Sequence, residues 1–229
     1  MYTYDIQAYG ILSPLHIGSG GVYNIEKYYG IWGTDSDYAN LLQIFLNKEI
    51  KIMNEVLKKY FEDYCDMWMK YKGTYPQVPY DSDIDSRLYI GTMDEEEYIS
   101  WKPKVKDVIT DFSKIEKEYN FKLNEEIKKY FNSFWFLELK GFIGEYCVVL
   151  EPVIPEMETD GFEAQLKGYF SSYRTLEYIP IGIETNTNSV IVIENKSGKV
   201  YFHDLDCDKK EIIADSFIEF VSRISFKRR

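Results

Sequence analysis

The chain has 229 residues and a formal net charge of −11, from 27 Lys and Arg against 38 Asp and Glu. Such an acidic balance argues against a nucleic-acid partner, because phosphate contacts need clustered cations. Hydrophobic residues make up 45% of the chain, which is enough apolar area to bury a substantial core.

The first 40 residues differ in composition from the rest of the chain. Six glycines lie between Gly10 and Gly33 among β-favouring residues, a pattern that predicts short strands joined by tight turns. From residue 40 to about residue 72, apolar residues recur every three or four positions, which predicts a long amphipathic helix ended by Gly73. We therefore expect an N-terminal extension over residues 1–40 and one main domain over residues 41–229.

The main domain reads as a mixture of helices and strands. Residues 75–85 hold two prolines and three alternating aspartates, and we interpret them as a surface loop. Further helices are predicted at residues 112–119, 125–134, 160–173 and 212–224. Strands are predicted at residues 88–90, 98–101, 135–139, 146–150, 177–184, 189–195 and 199–204, with a hairpin between 135–139 and 146–150. This order is typical of an α+β fold with antiparallel strands.

Cysteine usage and the N-terminus indicate the compartment. Cys65, Cys147 and Cys207 are widely spaced and odd in number, which favours a reducing environment. The N-terminus has no basic leader followed by an apolar stretch, and no run of 18 uncharged apolar residues occurs. We expect a cytoplasmic protein without a transmembrane segment, or one that is peripheral at the inner face of the membrane.

Residues for catalysis or for cofactor and metal binding are scarce. His16 and His203 are the only histidines, and neither lies in the motif of a catalytic triad. The aspartates of residues 81–85 resemble the start of a calcium loop, but the sixth position is Ser86 instead of glycine and the twelfth is Thr92 instead of glutamate. We therefore predict no enzyme activity, no cofactor and no metal site.

Acidic clusters are the compositional feature that stands out. They lie at residues 81–85, 94–97, 156–160 and 204–208. Each cluster is compatible with a plain solvated loop. Together, however, they form an excess of like charge that attracts a basic protein partner over long distances.

We predict the partner-binding surface at two of these clusters. If the two segments meet at one edge of a sheet, seven carboxylates surround an aromatic floor that contacts the partner. In the alternative interpretation, Trp101 belongs to the core and the acids are independent loops. The predicted binding residues are Tyr80, Asp81, Asp83, Asp85, Asp94, Glu95, Glu96, Glu97 and Trp101.

From residue 56 onward a series of motifs follows a known order. They are FEDYCDMW at 61–68, Tyr75-Pro76, Tyr80-Asp81, YIG at 89–91, ISWKP at 99–103, the helix at 112–119, IPIG at 179–182, VIVIENKSGKV at 190–200 and IADSFIEF at 213–220. With these motifs the sequence resembles the Syd branch of the SUKH superfamily. The resemblance covers about three quarters of the chain, in the same order, and the first 50 residues lie outside it.

The resemblance implies a central antiparallel sheet with helices packed mainly on one side, and a binding function instead of catalysis. Many SUKH proteins are bacterial immunity proteins that neutralise a cognate toxin, often a nuclease, and we take this as the main expectation. Syd itself associates with cytoplasmic loops of the SecY translocation channel through an acidic concave surface, which is the alternative. Both kinds of partner are basic, and both suit the charge of −11.

Overall fold

A computed structural model describes the backbone of residues 16–17, 21–22 and 35–226, and the side chains of residues 52–226. The chain divides into two units between Asn47 and Lys48. In the first unit, β1 (His16–Ile17) pairs with β2 (Gly21–Val22) in antiparallel register. The other strands and turns predicted for residues 1–34 lie outside the described residues, and the domain boundary at residue 40 remains a prediction.

The predicted long helix is confirmed as α1 (Asp35–Lys72), and it begins earlier than residue 40. Its described inner face follows the helical repeat, with Met53, Leu57, Phe61 and Tyr64 all buried. The helix ends at Gly73, whose N–H donates to the carbonyl of Met69. The backbone of Gly73 has a φ of 73°. Glycine adopts this left-handed conformation without steric strain.

A small three-stranded antiparallel sheet follows α1. It consists of β3 (Gln77–Pro79), β4 (Tyr89–Ile90) and β5 (Tyr98–Trp101), in the order β3-β5-β4. The prediction of a continuous loop over residues 75–85 was wrong at β3. A strand tolerates Pro79 there because β3 is an edge strand, where the missing N–H breaks no ladder.

Two short helices lead from the small sheet to the large one. They are α2 (Ser113–Glu118) and α3 (Glu125–Phe131), and both confirm predicted helices. Asn124 caps α3 by accepting a hydrogen bond from the backbone N–H of Glu126 at 2.9 Å. The chain before α2 forms β6 (Lys104–Val105), which pairs with β7 (Phe134–Trp135) after α3.

The main sheet has six antiparallel strands in the order β13-β12-β11-β10-β9-β8. Helix α4 (Asp160–Tyr173) lies between β9 and β10 in the chain and matches its predicted bounds. The strands are β8 (Leu139–Ile143), β9 (Tyr146–Leu150), β10 (Tyr178–Glu184), β11 (Ser189–Glu194), β12 (Val200–Asp204) and β13 (Lys209–Ala214). The predicted α+β class with a central antiparallel sheet is confirmed.

The predicted hairpin is present, but its first strand was misplaced. The strand runs over β8 and not over residues 135–139, so Gly141 lies inside it, while the turn is at Gly144, with a φ of 62°. A Cβ atom at Gly141 would come within 2.7 Å of the Ser225 carbonyl, because residue 225 bonds to Phe142 here. Gly141 therefore permits a close backbone approach instead of making a turn.

The start of the last helix was also predicted wrongly. Ile212 and Ile213 belong to β13, and helix α5 (Phe217–Arg223) begins only after Ser216. Ser216 accepts a hydrogen bond from the N–H of Glu219 at 3.1 Å, and the Glu219 carboxylate accepts one from the N–H of Asp215 at 3.0 Å. This reciprocal capping fixes the helix start at that point.

The two faces of the main sheet are covered differently. Ile191 and Ile193 belong to the main hydrophobic core, which also contains side chains of α1, α3 and α5. Alternate strand residues point to the opposite face, where Val190 pairs with His203. On that face, the hydroxyl of Tyr169 on α4 lies 2.9 Å from Nδ1 of His203. The helices thus pack mainly on one face, and α4 also covers part of the other.

Candidate functional site

The small sheet brings the two predicted acidic segments together. Residues 80–85 leave β3, residues 94–97 enter β5, and these two strands are hydrogen-bonded neighbours. The N–H of Tyr80 donates to the carbonyl of Glu97 at 2.7 Å, which joins the segments directly. The Gln77 side chain donates to the Asp94 carboxylate at 3.5 Å. The seven carboxylates therefore belong to one end of the small sheet.

The first segment is held in a defined conformation by its own polar groups. The Asp81 carboxylate accepts from the N–H of Asp83 at 2.9 Å, and the Tyr89 hydroxyl bonds to the backbone of Asp81. Asp85 accepts from the N–H of Arg87 at 2.8 Å and pairs with its guanidinium at 2.7 Å. The pKa of Asp85 is lowered by the hydrogen bond from the backbone N–H of Arg87 and by the nearby positive charge of the Arg87 guanidinium. Asp81 and Asp83 remain exposed.

The second segment folds around one aspartate. Asp94 accepts hydrogen bonds from the N–H groups of Glu96 at 3.0 Å and Tyr98 at 2.8 Å. Glu97 has a φ of 65°, which closes the turn into β5. All four acidic residues of this segment, Glu95 included, are exposed. The turn therefore presents their carboxylates to solvent next to the first segment.

A polar cleft of about 390 Å³ opens beside the first segment. Its lining includes Asp83, Asp85 and Tyr89, and Pro155 and Glu156 from the connection between β9 and α4. Glu156 thus adds a carboxylate that the sequence placed in a separate cluster. Residues 83 and 156 are far apart in sequence, and no sequence pattern links them. The tertiary fold brings them to the same cleft.

The aromatic floor differs from the predicted one at Trp101. This side chain is fully buried in the core, as the alternative interpretation held, and cannot contact a partner in this conformation. Tyr80 is 47% exposed and Tyr98 41% exposed, so the aromatic contact area at this end of the sheet is tyrosine. The ring of Tyr80 packs 5.6 Å from that of Tyr89.

The remaining histidine candidate is part of a buried cluster. His203 is fully buried, with Tyr169 on one ring nitrogen and Asp208 on the other at 2.8 Å. Asp208 also pairs with Lys210 at 3.2 Å. Contacts at both ring nitrogens hold the His203 imidazole in one orientation inside this cluster. His16, the other candidate, lies outside the residues whose side chains are described.

The acidic positions do not form a metal site, and the described helices do not include a membrane span. Among the described residues, His, Cys, Asp and Glu side chains do not gather in groups of three or more with a geometry that could hold a metal ion. In the same part of the chain, every helix is too short or too polar to cross a bilayer.

The chain was compared with known proteins. The family model described as Syd protein (SUKH-2) matches residues 54–225. Protein Syd of Alteromonas mediterranea is 22% identical over 157 residues, which cover 67% of this chain and 87% of that relative. Protein Syd of Erwinia tasmaniensis is 24% identical over 166 residues, covering 71% and 88%. Protein Syd of an Enterobacter species is 21% identical over 164 residues, covering 70% and 90%. The chain therefore belongs to the Syd protein (SUKH-2) family.

Proposed function

We propose that this protein is a non-enzymatic binding protein that docks, from the cytoplasm, on basic cytoplasmic loops of SecY. The docking site is the acidic surface, which we define as the seven carboxylates of residues 81–85 and 94–97 with Tyr80 and Tyr98. The observation that carries the proposal is the hydrogen bond between Tyr80 and Glu97, which joins two exposed acidic segments in a member of the Syd family.

The acidic surface suits a cationic loop in two ways. Clustered negative charge raises the rate of encounter with a positive partner, and this attraction weakens as salt screens it. Tyr80 and Tyr98 then offer apolar contact area with a hydroxyl on each ring, a combination common at protein interfaces. Cytoplasmic loops of membrane proteins are rich in Lys and Arg, which supplies the complementary charge.

Two observations favour SecY over a toxin, the main expectation from the sequence. The matched relatives all bear the name Protein Syd, and the family model is that of the Syd proteins. The resemblance to Syd implies SecY as the partner. A toxin partner needs the same basic chemistry, and it becomes the second outcome of the test.

Direct binding to SecY tests the proposal. SecY from the bacterium that encodes this chain is placed in lipid nanodiscs, and association is followed by interferometry at low and at high ionic strength. We expect binding at low ionic strength that weakens as salt is added. Empty nanodiscs of the same lipid are the control. Absence of binding at low ionic strength rejects SecY, and co-expression with the toxin gene of the same locus then tests the immunity interpretation.

A further inference from the structure

A second concave site lies apart from the acidic surface, between α4 and the exposed side of the main sheet. It is a groove of about 440 Å³, a size typical of ligand sites in proteins. Two of its aliphatic side chains, Ile183 and Leu205, are 38% and 46% exposed. Its lining is mainly apolar and includes Val149, Pro152, Pro180, Ile183, Val190 and Leu205.

One carboxylate lies in this apolar lining. Glu151 accepts a hydrogen bond from the side-chain amide of Gln165 on α4. Burial raises the pKa of Glu151 to about 7. Among the described residues, no lysine or arginine forms an ion pair with it, whereas Glu116, a buried carboxylate elsewhere in the fold, pairs with two lysines. A lysine or arginine of a partner, placed at this carboxylate, would favour its ionised form.

The groove and the polar cleft are neighbours along the chain. Glu151 and Pro152 line the groove, and Pro155 and Glu156 line the cleft beside the acidic surface. Three peptide bonds separate Pro152 from Pro155, so their Cα atoms lie at most about 11 Å apart. An extended segment of about four residues spans that distance.

We propose that the groove binds one or two aliphatic side chains of a basic partner segment, with a lysine or arginine of that segment paired to Glu151. The rest of the segment runs toward the acidic surface. This inference depends on the proposed binding role, and it holds for any partner of this chemistry, whether or not that partner is SecY. The groove supplies the desolvated contacts that fix the segment, while the acidic surface supplies long-range attraction.

Two substitutions separate the shape of the groove from its charge. Gly168 lies in α4 at the groove, and a Cβ atom placed there meets nothing within 4 Å, so Gly168→Leu fills the groove without a clash at Cβ. Leu also favours the helix over Gly. Glu151→Gln removes the charge and keeps the shape. Ser171→Leu, at an exposed position of α4 that does not line the groove, is the matched control.

The first experiment uses a random peptide library displayed on phage, so that it does not depend on SecY. Peptides are selected on the unmodified full chain alone, and the variants are used only to measure the binding of the selected peptides. We expect enriched peptides that combine Leu, Ile or Val with an adjacent Lys or Arg. Compared with the unmodified chain, Gly168→Leu should bind the synthetic peptides at least about tenfold more weakly, and Glu151→Gln about tenfold more weakly. Ser171→Leu should bind them with unchanged affinity.

Each other outcome overturns the inference. A library without enrichment, or peptides that bind Gly168→Leu as tightly as the unmodified chain, excludes the groove as a binding site. Peptides without a cation, or peptides indifferent to Glu151→Gln, exclude the proposed ion pair. Binding of the same variants to SecY nanodiscs keeps the two proposals apart. Groove-dependent peptides with no SecY binding reject SecY alone. SecY binding that is unaffected by Gly168→Leu, together with a library that yields no groove-dependent peptides, rejects the groove alone.

Discussion

Ionisation of Glu151 opposes folding. Its ordinary pKa is 4.5, and burial in the groove raises that value to about 7 in the folded chain. The folded state therefore binds a proton that the unfolded state has already released between these two values. By linkage, the folded state loses stability as the pH rises from about 4.5 to about 7, and the loss is complete above that range.

Glu151→Gln should remove this loss. We expect the variant to unfold at a higher temperature than the unmodified chain at pH 8, and the difference to shrink as the pH falls toward 4.5. The gain at pH 8 should be about 1 kcal/mol, less than the pKa shift alone implies, because the side chain keeps contact with water. Thermal unfolding between pH 4 and 8.5 measures it. A difference that does not change with pH would show that Glu151 is not buried as described.

Tyr98 and Trp101 are close in one strand but should behave in opposite ways. Tyr98→Ala removes a half-exposed ring, so we expect weaker partner binding with a loss of about 1 kcal/mol or less in stability. Trp101→Ala empties a fully buried site and should lower the free energy of unfolding by about 3–5 kcal/mol. Chemical denaturation and interferometry on both variants test this pair. Equal stability losses would contradict the assignment of Trp101 to the core.

The two-residue repeat of a β-strand is sufficient to predict that Trp101 is buried. Side chains alternate between faces, so Trp101 shares a face with the apolar Ile99, and Tyr98 shares the other face with Ser100. The period of two therefore assigns Trp101 to the core and Tyr98 to the surface. The prediction instead placed Trp101 at the surface because of its nearness in sequence to the acids, which says nothing about the face of a strand.

Glu116 connects α2 to the start of α3 through hydrogen bonds and ion pairs. It is 7% exposed, and its carboxylate accepts from the ammonium groups of Lys122 and Lys128 at 2.8 Å each and from the N–H of Leu123 at 2.9 Å. Burial opposes its ionisation, but these hydrogen bonds and charges prevail and lower its pKa to about 2. One side chain thus closes the connection between two helices.

Glu116→Gln should loosen this connection. Because the folded pKa lies below the ordinary 4.5, the stabilisation is present above pH 4.5 and is lost as the pH falls toward 2. We expect a loss of about 2 kcal/mol at pH 7 that diminishes over that acidic range. Urea denaturation at pH 7 and pH 3 measures it, with Glu118→Gln, at an exposed site on the same helix, as control. A loss that is undiminished at pH 3 would argue against an ionic role.

Local patterns predicted most of the elements, and contacts between distant segments explain where they failed. The repeat of apolar residues and the Asn124 cap were sufficient for α1, α3 and α4. The shift of β8 arises because the chain near Ser225 crosses Gly141, an approach between residues more than 80 positions apart. A glycine in an apolar run is typical of both a turn and such a crossing, and only the tertiary fold distinguishes them.

The candidate site combines predictable and unpredictable parts. The two acidic segments could be expected to meet because they are close in sequence, although the sequence did not predict strand β3, whose pairing with β5 joins them. The contributions of Glu156 to the cleft and of Glu151 to the groove were not predictable. Both residues belong to the chain between β9 and α4, and only the packing of α4 brings this part of the chain to the cleft and the groove. A charge of −11 indicates a basic partner, but it does not say where that partner binds.

The location of the acidic surface can be tested by removing charges from its first segment. Replacing Asp81, Asp83 and Asp85 by Asn keeps the side-chain oxygens that accept the backbone hydrogen bonds of this segment, so the melting temperature should change little. We expect association with SecY nanodiscs to be about tenfold slower at low ionic strength and less dependent on salt, with a smaller change in dissociation. The control replaces Asp204 and Asp206 by Asn in the exposed hairpin between β12 and β13. If the control slows association and the triple variant does not, the partner approaches that hairpin instead.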